Sequence, residues 1–423
     1  VIVGKNGSFM AAWLYKGDDN ASSTEEQREM VSFRINQALA GLGNGWMVHV
    51  DAVRRPAPNY SERGVSSFPD SVSFAIDEER RRLFEGLGAM FEGYFVLTVT
   101  WFPPVLAQRK FVELMFDDDA VAPDHTARTT GLIAQFKREI TSLESRLSSA
   151  VKMTRLRGQK VVSEEGREVT HDDFLSWLQF CVTGLHHPVM LPSNPMYLDA
   201  VIGGQELWGG VVPKIGRKFI QVVAIEGFPL ESTPGVLSAL AELPSEYRWS
   251  SRFIFMDQHE SLKHLDKFRK KWKQKIRGFF DQVFNTNTAR STRTRPRWSA
   301  TPRRPSPRST AAWCGRLLHQ RSRADGRGSG APGGLRAPGR EGRQPPGLRG
   351  RIETINTLDA YLGSLPGHGV ENVRRPLINT MNLADLLPTS SIWTGSATAP
   401  CPMYPPLSPA LMHCVTVALR RSA

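Results

Sequence analysis

Apolar and polar positions alternate with period two over residues 1–16, around Asn6-Gly7. Both turn residues tolerate positive φ, so the pattern predicts a hairpin. Ser23-Thr24-Glu25-Glu26 then reads as a capping box opening a helix. Met30, Val31, Ile35, Ala38 and Leu42 mark its inward face, and Gly43-Asn44-Gly45 ends it. Alternation returns from Trp46 to Val53 as a strand. Ser71 to Leu87 predicts a helix, and Tyr94 to Phe102 a mostly buried strand closed by Pro103-Pro104.

Downstream, Asp117 to His125 is an acidic loop. Thr129 to Leu156 is a long helix striped by Ile133, Phe136, Ile140, Leu143 and Leu147. A hairpin is expected at Val161 to Val169, turning at Glu165-Gly166, then a helix at His171 to Thr183 and a loop from Gly184 to Pro195. Strands follow at Tyr197 to Ile202 and Lys218 to Glu226. Glu231-Ser232-Thr233 opens a helix to Leu243, and Trp249 leads into a strand over Ser251 to Asp257. This last sequence of elements echoes the first: strand, hydroxyl-rich cap, helix, tryptophan, strand, a match that fits a duplication and a coincidence equally well. The expected fold is mixed α/β, in two strand–helix–strand units with long helices, interrupted by a disordered Arg/Pro/Gly-rich segment.

Gln258 to Phe284 is expected as a long basic helix. Leu262, Leu265, Phe268, Trp272, Ile276, Phe279, Phe280 and Val283 supply apolar anchors. Lys263, Lys267, Lys270, Lys271, Lys273 and Arg277 are the candidate contacts to an anionic surface, lipid or nucleic acid. The competing account, a core helix with a solvated charged face, is the simpler one.

The pattern breaks at residues 290–350. This stretch has 15 Arg, no Lys and two acidic residues, Asp325 and Glu341, a surplus of 15 − 2 = +13 that equals the whole net charge of the chain. The remainder carries 54 − 15 = 39 basic and 41 − 2 = 39 acidic residues. Its basicity therefore says nothing about partners of the rest. With few large apolar residues, the stretch should not offset its ordering entropy. One reading is an authentic basic tail for nucleic acid, acting with 263–277. The preferred reading is a frameshift, because GC-rich codons read out of register give Arg, Pro, Gly and Ala, and Ile352 to Leu358 returns to ordinary globular text. Residues 418–423 read as a second slip.

Four cysteines, Cys181, Cys314, Cys401 and Cys414, form no C-x-x-C pair, so free thiols in a reducing compartment are expected. The chain opens at Val1 in a strand pattern with no charged-then-apolar leader, which suggests that the true start is missing. The apolar run Tyr94 to Ala107 contains Pro103-Pro104 and is too short to span a bilayer, so membrane association should be peripheral. The phosphate-loop pattern G-x-x-x-x-G-K-[ST] does not occur; the one Gly-Lys, Gly4-Lys5, lies in a hairpin turn. Gly203-Gly204 and Gly209-Gly210 read as turns. His186-His187 near Cys181, and Asp117-Asp118-Asp119 with His125, lack the spacing of a zinc or calcium site. No G-x-S-x-G or H-E-x-x-H is present, so no catalytic, cofactor or metal residue is assigned.

Several stretches nevertheless carry a resemblance. Gly7-Ser8-Phe9-Met10-Ala11-Ala12-Trp13, Gly45 to Arg55 and Tyr94 to Pro104 are similar to the N-terminal region of TrbE-type conjugal transfer ATPases, of the CagE/TrbE/VirB family of type IV secretion motors. Arg374 to Thr380, Asn382 to Pro388 and Pro400 to Pro405 resemble the family text just before its nucleotide-binding motor. The resemblance covers 1–288 and 352–416. It implies a parent protein that uses ATP and Mg to energise DNA transfer and pilus assembly. This chain should lack the Walker motifs, take no small-molecule substrate, and lie in the cytoplasm at the inner membrane. It should pack on inner-membrane channel subunits and other motor copies. The expected divisions are 1–157 and 158–288 as two halves of a docking domain, 289–351 out of frame, 352–417 as the segment before the motor, and 418–423 as a spurious tail.

Overall fold

The computed structural model describes the chain apart from residues 19–22, 58–59, 61–66, 87–89, 104–124, 163–165, 167, 193, 195, 211, 227–231, 244, 257–309, 323–348, 372–376 and 392–423. A twelve-stranded sheet organises it. Its first half holds β1 (Ile2–Val3), β2 (Phe9–Lys16), β3 (Trp46–Pro56), β4 (Phe91–Trp101) and β5 (Lys152–Arg155), with helices α1 (Glu25–Leu39), α2 (Ser71–Gly86) and α3 (His125–Leu147). A separate hairpin, β6 (Gly158–Val162) with β7 (Glu168–Asp172), leads into α4 (Asp173–Thr183). The second half holds β8 (Leu207–Trp208), β9 (Lys214–Ile215), β10 (Lys218–Glu226), β11 (Tyr247–Met256), β12 (Thr310–Ser322) and β13 (Arg349–Ile352), followed by α5 (Thr357–Leu362). The last described elements are β14 (Leu377–Asn379) and α6 (Thr380–Leu386).

The two halves repeat one topology. In the first, β2 comes first, β3 lies at the centre of the whole sheet, and β4 inserts between them; β1 and β5 then line the far side of β2. In the second, β10 comes first, β11 lies at the centre, and β12 inserts between them; β9 and β13 line the far side of β10. The halves meet where β3 and β11 pair antiparallel, with Asp51 opposite Ser250 and His49 opposite Arg252. Mirror-ordered strands about an antiparallel seam amount to an approximate two-fold. The strands of the echo in the sequence belong to this repeat, whereas the helix expected in its second unit does not form.

Local chemistry explains most elements. Asn6-Gly7 does turn the first hairpin, Gly7 at φ 77°. Thr24 caps α1, its hydroxyl accepting from the Gln27 N–H while the Gln27 side chain accepts from the Thr24 N–H. On α3 the predicted stripe lands in the core, with Phe136, Ile140, Leu143 and Leu147 buried. Phe136 lies parallel to Trp101 at 6.1 Å and stacks on Trp46 at 5.9 Å. Trp13 Nε1 donates to Glu144 Oε2 at 2.9 Å, satisfying the indole without opening the core.

Several boundaries differ from the sequence reading. The long helix stops at Leu147, and Lys152–Arg155 turns back as a strand on β2, because Val151 and Met153 alternate with polar residues. Met30 is exposed on α1, where Ser32 and Leu39 take the inward positions. Tyr197 to Ile202 is a 3-10 turn at Leu198–Ala200 rather than a strand. The helix expected up to Leu243 shrinks to a 3-10 turn, Ser238–Glu242. Disorder was expected throughout the arginine-rich stretch, yet Thr310–Ser322 is a strand paired on both sides, and Arg349–Ile352 another. Composition averaged over the stretch does not reveal this strand, which takes the slot between β10 and β11.

Candidate functional site

Residues 47, 49, 51 and 53 of β3 share one face of the sheet, and on β11 residues 248, 250 and 252 share it with them. This face is apolar at its flank, where α4 packs Phe174, Leu175, Trp177 and Cys181 against Ala12, Val53 and Val96. At the seam it is charged. Arg248 Nη1 donates to Asp51 Oδ1 at 3.1 Å and to the Ser364 carbonyl at 3.2 Å; Nη2 donates to Ser364 Oγ at 2.6 Å. Arg252 donates to the carbonyls of His368 at 2.7 Å and Glu371 at 3.2 Å. Residues 363–371 thus form a strap over the seam. Gly367, at φ 87°, presses on Met10: a Cβ there would lie 2.7 Å from Met10 Sδ.

Burial dominates the electrostatics. Asp51 is 0% exposed, and burial lifts its pKa to about 6 against the pull of Arg248 and the Ser250 hydroxyl. His49 is pushed well below its ordinary value by burial, then by Arg252 and Arg248, and stays neutral. Neither ring nitrogen of His49, nor Asp51 Oδ2, Thr98 Oγ1 or Thr100 Oγ1, has a hydrogen-bond partner in the described structure. Cys181 is a buried free thiol whose pKa burial raises. Sealed beneath the strap and α4, this cluster ties the halves together through charge and presents no reactive group to solvent.

The opposite face closes with a second tie. There α6 lies against α1, and Asp385 accepts from Ser32 Oγ at 2.6 Å and from the Ser232 hydroxyl. Sequence reasoning missed Asp51, Arg248 and Asp385. The available signal was a charge inside an otherwise apolar strand or helix, with Asp51 two positions after His49 on the same face.

One helix shows the reverse arrangement. On α2 the buried residue is Arg81, which pairs with Glu78 at 3.3 Å and Asp77 at 3.7 Å and lies over the Tyr60 ring at 5.0 Å, a ring that Phe84 also meets at 5.6 Å. Val72, Ile76 and Leu83, which fall on one stripe, are 66%, 59% and 64% exposed. Their spacing was legible in the sequence; their outward direction was not.

The candidate anionic-surface residues Lys263, Lys267, Lys270, Lys271, Lys273 and Arg277 lie outside the described residues, as do Asp117-Asp118-Asp119. His186 stacks on Phe180 at 4.1 Å, and burial lowers its pKa to about 4. Among the described residues no group of His, Cys, Asp and Glu could hold a metal ion. Gly203, Gly204 and Gly210 have positive φ, as turns require. No helix of the described residues is long and apolar enough to cross a membrane.

Comparison with known proteins converges on one family. Residues 1–108 match the N-terminal domain of the type IV secretion system ATPase VirB4/TrbE, and residues 161–294 match the CagE, TrbE, VirB family, component of type IV transporter system. The conjugal transfer protein TrbE of Rhizobium radiobacter is 40% identical over 427 residues, which cover 98% of this chain and 50% of that protein. Sinorhizobium fredii (strain NBRC 101917 / NGR234) has a probable conjugal transfer protein TrbE split into two polypeptides, and both are similar to this chain. The second polypeptide is 41% identical over 66% of this chain and 42% of its own length. The first is 41% identical over 24% of this chain and 69% of its own length. The chain thus spans half or less of the longer relatives it matches. It belongs to the CagE/TrbE/VirB family of type IV secretion components and covers the N-terminal portion of a TrbE-type conjugal transfer protein.

Proposed function

We propose that this chain is the docking half of a conjugal transfer motor. It seats the motor on inner-membrane subunits of the secretion channel, at the cytoplasmic side, and against other copies. ATP and Mg chemistry belongs to the region of the relatives that the chain does not span; the chain has no phosphate loop. The observation that carries the docking reading is the outward apolar stripe of α2, on a helix whose buried residue is Arg81. A stripe of this kind has a use where a partner covers it. We assign it to an apolar segment of a channel subunit. Residues 1–157 and 158–288 are the two halves of the module, and the frame is shifted across 289–351, with a further slip at 418–423.

Co-purification with the inner-membrane subunits of the cognate system tests this. Val72→Glu with Ile76→Glu should abolish capture while thermal unfolding stays unchanged. Capture that persists in the double variant refutes the assignment of α2. Phosphate release from ATP by the purified chain would overturn the division of labour. DNA binding that weakens steeply with salt, and is lost on deletion of 290–350, would favour a nucleic-acid role for the basic stretch instead.

A further inference from the structure

Seven residues make a helix too short to hold itself, so α6 depends on what it touches. Leu383, Ala384, Leu386 and Leu387 are buried in the core shared with α1. Asn379 caps the helix in a reciprocal box with Asn382. The polar contacts divide between the two halves of the molecule. Toward the first half, Asp385 accepts from Ser32 Oγ at 2.6 Å, and Thr380 Oγ1 donates to Asn36 Oδ1 at 2.6 Å, both on α1. Toward the second, Asp385 accepts from the Ser232 hydroxyl, Asn382 Nδ2 donates to Ser232 Oγ at 2.9 Å, and the Gly235 N–H donates to the Asp385 carbonyl at 3.0 Å. One carboxylate, 2% exposed, is shared by α1, by the turn that leads into Ser238–Glu242, and by a helix that arrives more than a hundred residues later in sequence. A buried carboxylate is a poor choice for stability alone, since well-packed apolar residues commonly do as well.

We propose that Asp385 is a positioning residue that makes α6 a joint: where α6 sits sets the packing of α1 on one half and of residues 232–243 on the other. Displacement of the polypeptide after residue 391 is thereby felt on both sides of the seam at once. The inference does not require that the following polypeptide hydrolyse ATP.

Hydrogen exchange of the whole chain tests it, comparing Ser32→Ala, Ser232→Ala, Asp385→Ala and Asp385→Asn. Losing one hydrogen bond should speed local exchange by about fivefold. S32A is expected to loosen residues 25–39 alone, and S232A residues 235–243 alone. D385A should loosen both while β3 and β4 keep the protection they have in the parent. In D385N one serine can still donate to the remaining oxygen and the new amide N–H can donate to the other serine's hydroxyl oxygen, so most of the protection should return on both sides. The joint is refuted if D385A changes only 380–387, if β3 and β4 loosen as much as α1, or if D385N behaves like D385A. Should D385A fail to fold, the serine variants decide: either one loosening both elements equally overturns the proposal.

Discussion

Replacing Arg248 by methionine isolates the energetics of the seam. The guanidinium is buried and bonded to Asp51 at 3.1 Å and to Ser364 at 3.2 and 2.6 Å. Methionine matches much of its volume but leaves Asp51 buried without its counter-charge. Orphaning one member of a buried pair costs about 3–5 kcal/mol. That is a large share of the roughly 5–15 kcal/mol that holds a domain folded. The sign of the pH dependence follows from Asp51. Its folded pKa, about 6, lies above its ordinary 3.8, so its contribution is fully present below 3.8 and lost as pH rises through 6. The difference corresponds to on the order of 3 kcal/mol. Without Arg248 the folded pKa climbs further, so R248M should fall behind the parent by an amount that is constant below about pH 6 and widens as pH rises from 6 to 8. The double variant D51N/R248M, which buries no charge at either position, should regain at least about 2 kcal/mol at pH 8. Urea denaturation monitored by tryptophan fluorescence at several pH values reads all three quantities. A parent–R248M gap under about 1 kcal/mol, the range of an exposed ion pair, or one that does not change with pH, would refute this account of the seam.

Four further outcomes follow. Restoring a one-base register across codons 289–351 should place Val, Ile or Leu at alternate positions of 310–322, and the restored chain should unfold at a higher urea midpoint; an intact reading frame shared by relatives would exclude this. Gly45→Ala should cost about 1–3 kcal/mol by thermal denaturation, because φ is +85° and the new Cβ would lie 2.6 Å from the Phe102 carbonyl oxygen. Phe136→Ala removes the ring that packs on Phe9, Trp46 and Trp101, with an expected loss of about 3–5 kcal/mol in urea titration. Thr24→Ala breaks the α1 capping box, and about 1 kcal/mol should be lost, with Thr24→Ser retaining most of it.

How much of this was legible in the sequence depended on whether the cause was local. The Asn6-Gly7 turn, the Thr24 cap, the α3 stripe and the span Lys218–Glu226 each follow from spacing within a few residues, and each is where it was expected. The absence of a phosphate loop and the family resemblance were also readable, because both reside in contiguous text. Longer-range causes were not. Lys152–Arg155 is a strand because β2 offers an edge more than a hundred residues earlier in the chain. The same holds for β12, whose place is set by the gap between β10 and β11 and not by its composition. Asp51, Arg248 and Asp385 were passed over because each finds its partner across the fold, Asp385 at Ser32 and Asp51 at Arg248. The direction of the α2 stripe was hidden likewise, since its inward face is set by Tyr60 and the Asp77, Glu78 and Arg81 contacts.

The central pairing of β3 with β11 has a consequence during synthesis. Trp46–Asp51 are all buried once β11 is in place, yet about 190 residues separate the end of one strand from the start of the other. At roughly 5–20 residues per second, the ribosome leaves that edge without its neighbour for on the order of 10–40 seconds. An apolar strand edge waiting so long invites pairing with a nascent sibling. Chains that stall or are cut before residue 247 should therefore be the sticky species, captured by holdase chaperones, whereas chains that reach Met256 bury the hazard themselves.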